Sequence, residues 1–281
     1  MAMGSGLSAV GFGLAASLSW GTSDFSGGLA AKRIHIFGVM TISYGLGVVL
    51  LVVLVVARSE PLTLSADLAW AAAAGMAGAA GLAAQYRALA VGRMGIAAPT
   101  AAALSAMIPV LFSAVVEGLP GSPRIAGFIL AIIGVWFLSR SAVAGEPRNG
   151  LGLAVVAGIG FGLFFVLMDQ VRTGAVFWPL VSARAVSFVV VLGIALASRQ
   201  KWQPEVTGLP VVLLAGALDV GGNIFFLLAA QAGRLDVASV LSSLYPAVTV
   251  LLARMVLHER LTRTQGIGVV AALIAVLLIA A

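Results

Sequence analysis

Long apolar runs follow one another along almost the whole chain, separated by single charges or by proline and glycine turns. The run from Ile36 to Ala57 contains no charged residue at all. A helix needs about 20 mostly apolar residues to cross a bilayer, because every backbone amide must find its partner within the segment. The pattern predicts ten spans, at approximately Leu7–Ala31, Ile36–Ala57, Leu68–Ala90, Gly95–Val116, Ile125–Ser139, Gly150–Val171, Val176–Ser198, Leu209–Ala230, Val237–Leu257 and Thr264–Ala281.

The segments leave little room for anything outside a membrane. The fifth is the shortest and lies between Arg124 and Arg140, whose long side chains would extend towards the headgroups. No lysine or arginine precedes the first segment, and no cleavage pattern follows it, so we expect a true span rather than a removable signal peptide. The expected fold class is an all-α integral membrane protein.

The composition narrows the classes of function. Of the 281 residues, 61% are hydrophobic and only 9% are charged, which is too few charges to solvate the surface of a soluble domain. The chain has no cysteine, which excludes disulfides, thiol catalysis and thiolate metal sites. The formal net charge is +6, but the basic residues are scattered singly, so the expected surroundings are the lipid bilayer and not nucleic acid.

The basic residues outside the spans predict an orientation. Nine lie on the side opposite the N-terminus, at Lys32, Arg33, Arg93, Arg140, Arg148, Arg199, Lys201, Arg260 and Arg263. Four lie on the N-terminal side, at Arg58, Arg124, Arg172 and Arg234. Because cytoplasmic loops carry the excess of lysine and arginine, both termini are predicted to face outward from the cell (inner) membrane.

The chain contains signs of an internal duplication. Gly92, Arg93 and Gly127 recur 141 positions later as Gly233, Arg234 and Gly268, and Glu117 recurs 142 positions later as Glu259. Gly13 and Asp24 recur 145 positions later as Gly158 and Asp169. Coincidence among glycine- and alanine-rich helices is the alternative explanation. The pattern favours two five-helix repeats, residues 1–145 and 146–281, which are inverted because five spans is an odd number.

Two motifs within this arrangement resemble a known family. They are the stretch Trp20-Gly21-Thr22-Ser23-Asp24-Phe25 and the pattern Pro246…Glu259-Arg260-Leu261-Thr262. With ten spans in two halves, the chain resembles the drug/metabolite transporter superfamily, and within it the ten-helix exporters of amino acids, including the aromatic amino acid group. The first half departs from the pattern, since Gly118-Leu119-Pro120-Gly121 follows Glu117. The resemblance implies a central cavity lined mainly by the first, third, fourth, sixth, eighth and ninth helices.

Ionisable residues inside the predicted spans are candidate site residues, because charge at the bilayer centre is costly. Asp219 lies about 15 Å along the eighth helix, and Asn223 follows one turn later on the same face. An ion pair of Asp219 with Arg184 in the seventh helix is the structural alternative. Asp24 lies deep in the first helix, where it could exchange protons, attract a substrate ammonium, or anchor the helix end.

Uncharged polar residues extend the candidate list. Gln85 and Tyr86 near the end of the third helix could hydrogen-bond an amino acid backbone, although interfacial anchoring is equally compatible with them. Ser242 and Tyr245 lie beside Pro246, which removes a backbone hydrogen bond and frees a carbonyl. Such hydroxyl groups also join helices to one another, so packing is the alternative for the serines.

Aromatic side chains supply a candidate apolar wall. Phe161, Phe164, Phe165 and Met168 follow helical spacing and form one stripe on the sixth helix. Trp20 corresponds to Phe165 under the offset of 145 residues and is predicted to face it. The same stripe could equally be a lipid-facing or core surface.

No enzyme chemistry is evident in the sequence. A phosphate-binding G-x-x-x-x-G-K-[ST] loop and an H-E-x-x-H pair are both absent, and His35 and His258 lie in different halves. We therefore expect no enzymatic activity, no metal and no cofactor. The favoured function is a secondary exporter of small metabolites, chiefly apolar or aromatic amino acids, working by alternating access with possible proton coupling. The alternatives are a proton-coupled multidrug cation exporter and a membrane subunit without transport activity.

Overall fold

The computed structural model describes residues 2–31, 34–62, 65–91, 94–138, 151–171, 175–197, 199, 208–257 and 263–280. All regular structure in these ranges is helical: α1 (Ala2–Ala31), α2 (Ile36–Arg58), α3 (Ala66–Val91), α4 (Met94–Val116), α5 (Ser122–Leu138), α6 (Leu151–Asp169), α7 (Phe177–Ala197), α8 (Leu209–Ala232), α9 (Leu235–Ser242), α10 (Tyr245–Leu257) and α11 (Arg263–Ala280). Nine of the ten predicted segments correspond to one helix each. The predicted ninth segment is divided between α9 and α10.

The division of the ninth segment lies next to the proline that the sequence indicated. Pro246 has no backbone N–H, so it cannot donate to the Ser242 carbonyl one turn earlier. Ser243 and Leu244 form a turn there, with the Leu244 N–H donating to the Leu241 carbonyl at 3.2 Å. The broken helix brings Tyr245 to the first position of α10.

The composition and surface of the helices fit a multi-pass membrane protein. Among the described residues, five helical segments are long and apolar enough to span a bilayer: Ile36–Arg58, Ala66–Ala88, Gly152–Asp169, Phe177–Ala197 and Leu209–Ala232. Shorter apolar helical segments include Leu104–Val116 and Ile125–Gly134. Large apolar side chains cover the outer surface, including Val49, Val53, Val56, Val115 and Val189, where a soluble protein would carry charge.

Helices from the first part of the chain pack mainly against helices from the second part. The largest contacts join α1 to α8, α3 to α6, and α5 to α11. Further contacts join α4 to α6, α1 to α9 and α10, α3 to α7, α2 to α7, and α2 to α8. The described helices of the two parts therefore pack against each other around a common centre.

A carboxylate after α2 caps the start of α7. Glu60 accepts hydrogen bonds from the backbone N–H groups of Val176, Phe177 and Trp178 at 3.1, 3.0 and 2.9 Å. The Trp178 indole N–H donates in turn to the Glu60 carbonyl at 3.0 Å. A negative charge is favourable at this position, because the first N–H groups of a helix have no partner within it.

The repeated Arg and Glu motifs meet at one end of the bundle. Arg234 Nε lies 3.6 Å from Glu117 Oε2, and its Nη2 donates to the Gly118 carbonyl at 2.9 Å. Arg234 Nη2 also donates to Asp236 Oδ2 at 2.9 Å. This hydrogen bond is the main reason that the pKa of Arg234 lies above its ordinary value. This cluster ties the end of α4 to the α8–α9 connection. The repeat partners Arg93 and Glu259 lie outside the described residues.

Candidate functional site

A cavity opens at the centre of the helices, between α1, α2, α3, α4, α6, α7, α8 and α10. The cavity has a volume of about 90 Å³. The side chains around it are mostly apolar, with a small number of polar groups, as sites that bind small organic molecules commonly are.

The strongest polar contact at the cavity is an ion pair between α7 and α8. Arg184 Nη2 lies 2.6 Å from Asp219 Oδ2, and the two side chains are only 9% and 23% exposed. Asn223 donates from Nδ2 to the Asp219 carbonyl at 2.6 Å, one turn back along α8. The Arg184 guanidinium also lies 4.8 Å from the centre of the Tyr44 ring. The structural alternative for Asp219, a pair with Arg184, is thus confirmed.

Arg184 reaches the cavity because α7 approaches α3 very closely. The Ala183 carbonyl occupies the position that a Cβ of Gly75 would take, so the approach requires glycine in α3. Ser187, one turn further along α7, donates to the Gly75 carbonyl at 2.8 Å and to its own Ala183 carbonyl at 2.9 Å. These contacts hold the face of α7 that carries Arg184 towards the centre.

Aromatic rings form one wall of the cavity. Trp20 lies against Phe165 with ring centroids 5.7 Å apart, as the repeat pairing predicts, and against Phe226 at 5.9 Å. Phe161 and Phe164 extend this wall along α6. Trp20 can pack closely against α8 because Gly222 has no side chain. A Cβ at position 222 would lie only 2.5 Å from the indole Nε1.

A second polar region of the cavity wall is formed by Asp24 on α1 and Tyr245 on α10. Within the described part of the chain, Asp24 has no ion pair and no hydrogen bond, and the buried Tyr245 hydroxyl has no hydrogen-bond partner. Buried polar groups are nearly always paired, so the buried Tyr245 hydroxyl is available to a ligand, and so is the partly exposed Asp24 carboxylate.

Seven of the ten predicted site residues line the cavity: Trp20, Asp24, Phe161, Phe165, Asp219, Asn223 and Tyr245. The other three, Gln85, Tyr86 and Ser242, are buried at 1%, 6% and 0% exposure but do not line it. Tyr86 packs with its hydroxyl against Gly27 of α1. The Gln85 amide and the Ser242 hydroxyl have no hydrogen-bond partner among the described residues.

Helices α2 and α7 also contribute to the cavity wall, which was not predicted from the sequence. The family resemblance implied walls from six other helices, but Tyr44 and Leu51 line the cavity from α2, and Leu180, Arg184 and Ser187 line it from α7. One signal was available, since Tyr44 is a hydroxyl-bearing aromatic residue in the middle of a span without charge. The described residues contain no cluster of three His, Cys, Asp or Glu that could hold a metal ion.

Comparisons with known proteins agree with this architecture. Residues 148–281 match the EamA-like transporter family. An uncharacterised protein of Methanocaldococcus jannaschii is 30% identical over 129 residues, which are 46% of this chain and 93% of that protein. A solved crystal structure superposes with a TM-score of 0.79 at 16% identity, covering 96% of both chains. At that identity the likeness concerns the fold alone.

The apolar helices around a central cavity fit a multi-pass membrane protein. Residues 148–281 are similar to the EamA-like transporter family, which is part of the drug/metabolite transporter superfamily. This family consists of transporters. The match suggests a membrane transporter of small molecules.

Proposed function

We propose that the protein is a secondary transporter that exports small metabolites, chiefly amino acids with apolar or aromatic side chains, by alternating access. The observation that carries the proposal is the cavity, which combines an aromatic wall with two polar regions at the centre of the helices. Trp20 and Phe165 would contact the side chain of a substrate. Arg184, Asp219 and Asn223 would contact its carboxylate and neighbouring polar atoms.

The packing of the helices supports an inverted duplication, on which alternating access would depend. If α1 to α5 correspond in order to α6, α7, α8, the broken helix α9–α10, and α11, then the contact of α1 with α8 corresponds to that of α6 with α3. The contact of α3 with α7 likewise corresponds to that of α8 with α2. The contact of α4 with α6 corresponds to that of α9 and α10 with α1.

Individual glycine contacts support the same correspondence. A Cβ on Gly13 would lie 2.9 Å from the Cβ of Leu241, and one on Gly158 would lie 2.6 Å from the Cβ of Leu104. The glycines are 145 positions apart, and their leucine partners are 137 positions apart. The carbonyls of Ala238 and Ala101, also 137 positions apart, flank the two contacts. The offset of 137 is one helical turn shorter than the 141 positions between Arg93 and Arg234, so the two contacts are of the same kind but differ by one turn in register.

The archaeal relative supports a five-helix unit of this size. Its matched segment of 129 residues is 93% of its own chain and 46% of the present one. A chain of about half this length therefore exists separately. Placement in the cell (inner) membrane with both termini outward follows from the nine-to-four distribution of basic residues and is part of the proposal.

A proton-coupled multidrug cation exporter is the second candidate. The observation that favours it is Asp24, a carboxylate in the cavity wall with no ion pair among the described side chains. Such an exporter would carry lipophilic cations whose charge Asp24 neutralises. Loss of resistance to lipophilic cations in an Asp24→Asn strain would favour this candidate over amino acid export.

The proposal is tested by efflux from liposomes that contain the purified protein. Vesicles loaded with labelled amino acids should release phenylalanine, tryptophan or leucine faster than protein-free vesicles, because the protein provides a path for a polar backbone across the bilayer. Repeating the assay with a pH gradient separates proton antiport, which depends on the gradient, from facilitated diffusion. Equal release from both kinds of vesicle across a broad amino acid panel would contradict the proposal.

A further inference from the structure

The polar groups of the cavity fall into a paired set and an unpaired set. Arg184, Asp219 and Asn223 already bond to one another, and the Ser187 hydroxyl bonds to carbonyls of α3 and α7. Asp24 and Tyr245 have no such partners within the described ranges. Unpaired groups are the ones that gain most from a ligand, because their bonds are not already satisfied.

Asp24 and Tyr245 lie on α1 and α10, which are in contact with each other, and both line the cavity. The Thr249 hydroxyl donates to the Gly21 carbonyl at 3.0 Å, and a Cβ on Gly21 would lie 2.6 Å from the Tyr245 carbonyl. Asp24 follows Gly21 by three residues, so it lies about one turn further along the same side of α1. Trp20 lies one turn before Asp24 and places its ring on the same cavity.

The charges at the cavity do not cancel. Arg184 and Asp219 neutralise each other in their 2.6 Å pair, which leaves Asp24 as a carboxylate without a positive partner among the described residues. Burying a lone charge among apolar side chains is costly unless a counter-charge arrives. A cationic group of a ligand would supply it, and the neighbouring aromatic ring of Trp20 suits the organic part of the same ligand.

We propose that Asp24 and Tyr245 form an ammonium-binding subsite, which makes a primary ammonium joined to an aromatic or apolar body the essential feature of the substrate. Asp24 neutralises the ammonium, and the Tyr245 oxygen accepts one of its N–H groups. The carboxylate of an amino acid faces Arg184 and adds less, because Arg184 already has Asp219. This inference rests on the proposed transport of small metabolites through the cavity.

Three probes with the same phenyl ring test the subsite by equilibrium binding to the purified full-length protein. They are phenethylamine, which has only the ammonium, L-phenylalanine, which has both charges, and 3-phenylpropionate, which has only the carboxylate. We expect phenethylamine and L-phenylalanine to bind. We expect 3-phenylpropionate to bind at least about tenfold more weakly, which corresponds to about 1.4 kcal/mol of binding free energy. Asp24→Asn should weaken phenethylamine binding about tenfold or more, and Tyr245→Phe about fivefold.

Asp169→Asn is the matched control, because Asp169 is the sequence-repeat partner of Asp24 and does not line the cavity. It should bind phenethylamine like the wild type. Asp24→Glu keeps the charge and should retain more affinity than Asp24→Asn, which separates loss of charge from misfolding. Unchanged phenethylamine binding in Asp24→Asn, or equal binding of 3-phenylpropionate by the wild type, would overturn the subsite alone. Wild type that binds none of the probes, together with no efflux of any amino acid, would overturn the proposed function as well.

Discussion

Replacing Arg184 with methionine is expected to destabilise the protein by about 3 kcal/mol, because the Asp219 carboxylate would lose its only ion pair in the described part of the chain. The loss should lie at the lower end of the range for buried pairs, since Asp219 is 23% exposed and the cavity can hydrate it in part. Chemical or thermal unfolding in detergent measures the effect. We also expect efflux of amino acids to fall without stopping, because the substrate carboxylate loses its contact with Arg184 while Asp24 and Tyr245 remain in the cavity wall.

A second substitution separates the charge from the packing. Arg184→Met combined with Asp219→Asn removes both charges, so it should recover most of the lost stability and still release amino acids more slowly than the wild type. Arg199→Met is the matched control, because Arg199 is exposed beyond the end of α7 and its change should stay within about 0.5 kcal/mol. A single Arg184→Met variant as stable as the wild type would show that the ion pair is not needed to hold α7 and α8 together.

Replacing Gly222 with alanine is expected to reduce efflux about tenfold, a size typical of a small misplacement in a functional site. The added methyl group would lie 2.5 Å from Trp20 Nε1, and the same ring also contacts Phe165 and Phe226. Trp20 would therefore have to shift from its position in the cavity wall. Stability should fall by about 1–3 kcal/mol, as for other overpacked sites.

The control for this substitution is Gly193→Ala in α7, where a Cβ would meet nothing within 4 Å. Alanine there should leave efflux unchanged and stabilise the helix by about 0.5–1 kcal/mol. Initial efflux rates and unfolding midpoints are to be compared at equal protein density in the vesicles. Wild-type efflux in Gly222→Ala would contradict the placement of Trp20 at the substrate site.

Apolar runs predicted the helices well because lipid imposes one rule on every segment. The charge-free run Ile36–Ala57 corresponds to α2, which ends at Arg58. Pro246 indicated a weakened ninth helix, and the break between α9 and α10 lies directly before Tyr245. The bounds of the turn could not be predicted, since they depend on how Ser243 and Leu244 pack and not on composition.

The charged site residues could be predicted because charge is excluded from lipid, and Asp24 and Asp219 both line the cavity. The rule works less well for uncharged polar groups. Gln85 and Ser242 are buried between helices away from the cavity, since such side chains are tolerated in helix packing. Leu51 and Leu180 could not be found, because an apolar cavity wall and a lipid-facing surface have the same composition.

The proposed mechanism requires the cavity to open alternately to the two sides of the membrane. The natural chain has no cysteine, so a single Leu82→Cys substitution places one thiol in the cavity wall on α3. Val189→Cys is the matched control, because Val189 lies on the outer surface of the bundle and is 65% exposed. In a bilayer this position faces lipid, so its thiol should react with a membrane-impermeant maleimide from neither side.

The decisive measurement is the labelling of Leu82→Cys in proteoliposomes, with the impermeant maleimide supplied either outside or inside the vesicles. Alternating access predicts labelling from each side, with rates that shift in opposite directions when substrate is added to one side. Labelling from one side only, under every substrate condition, would contradict the account.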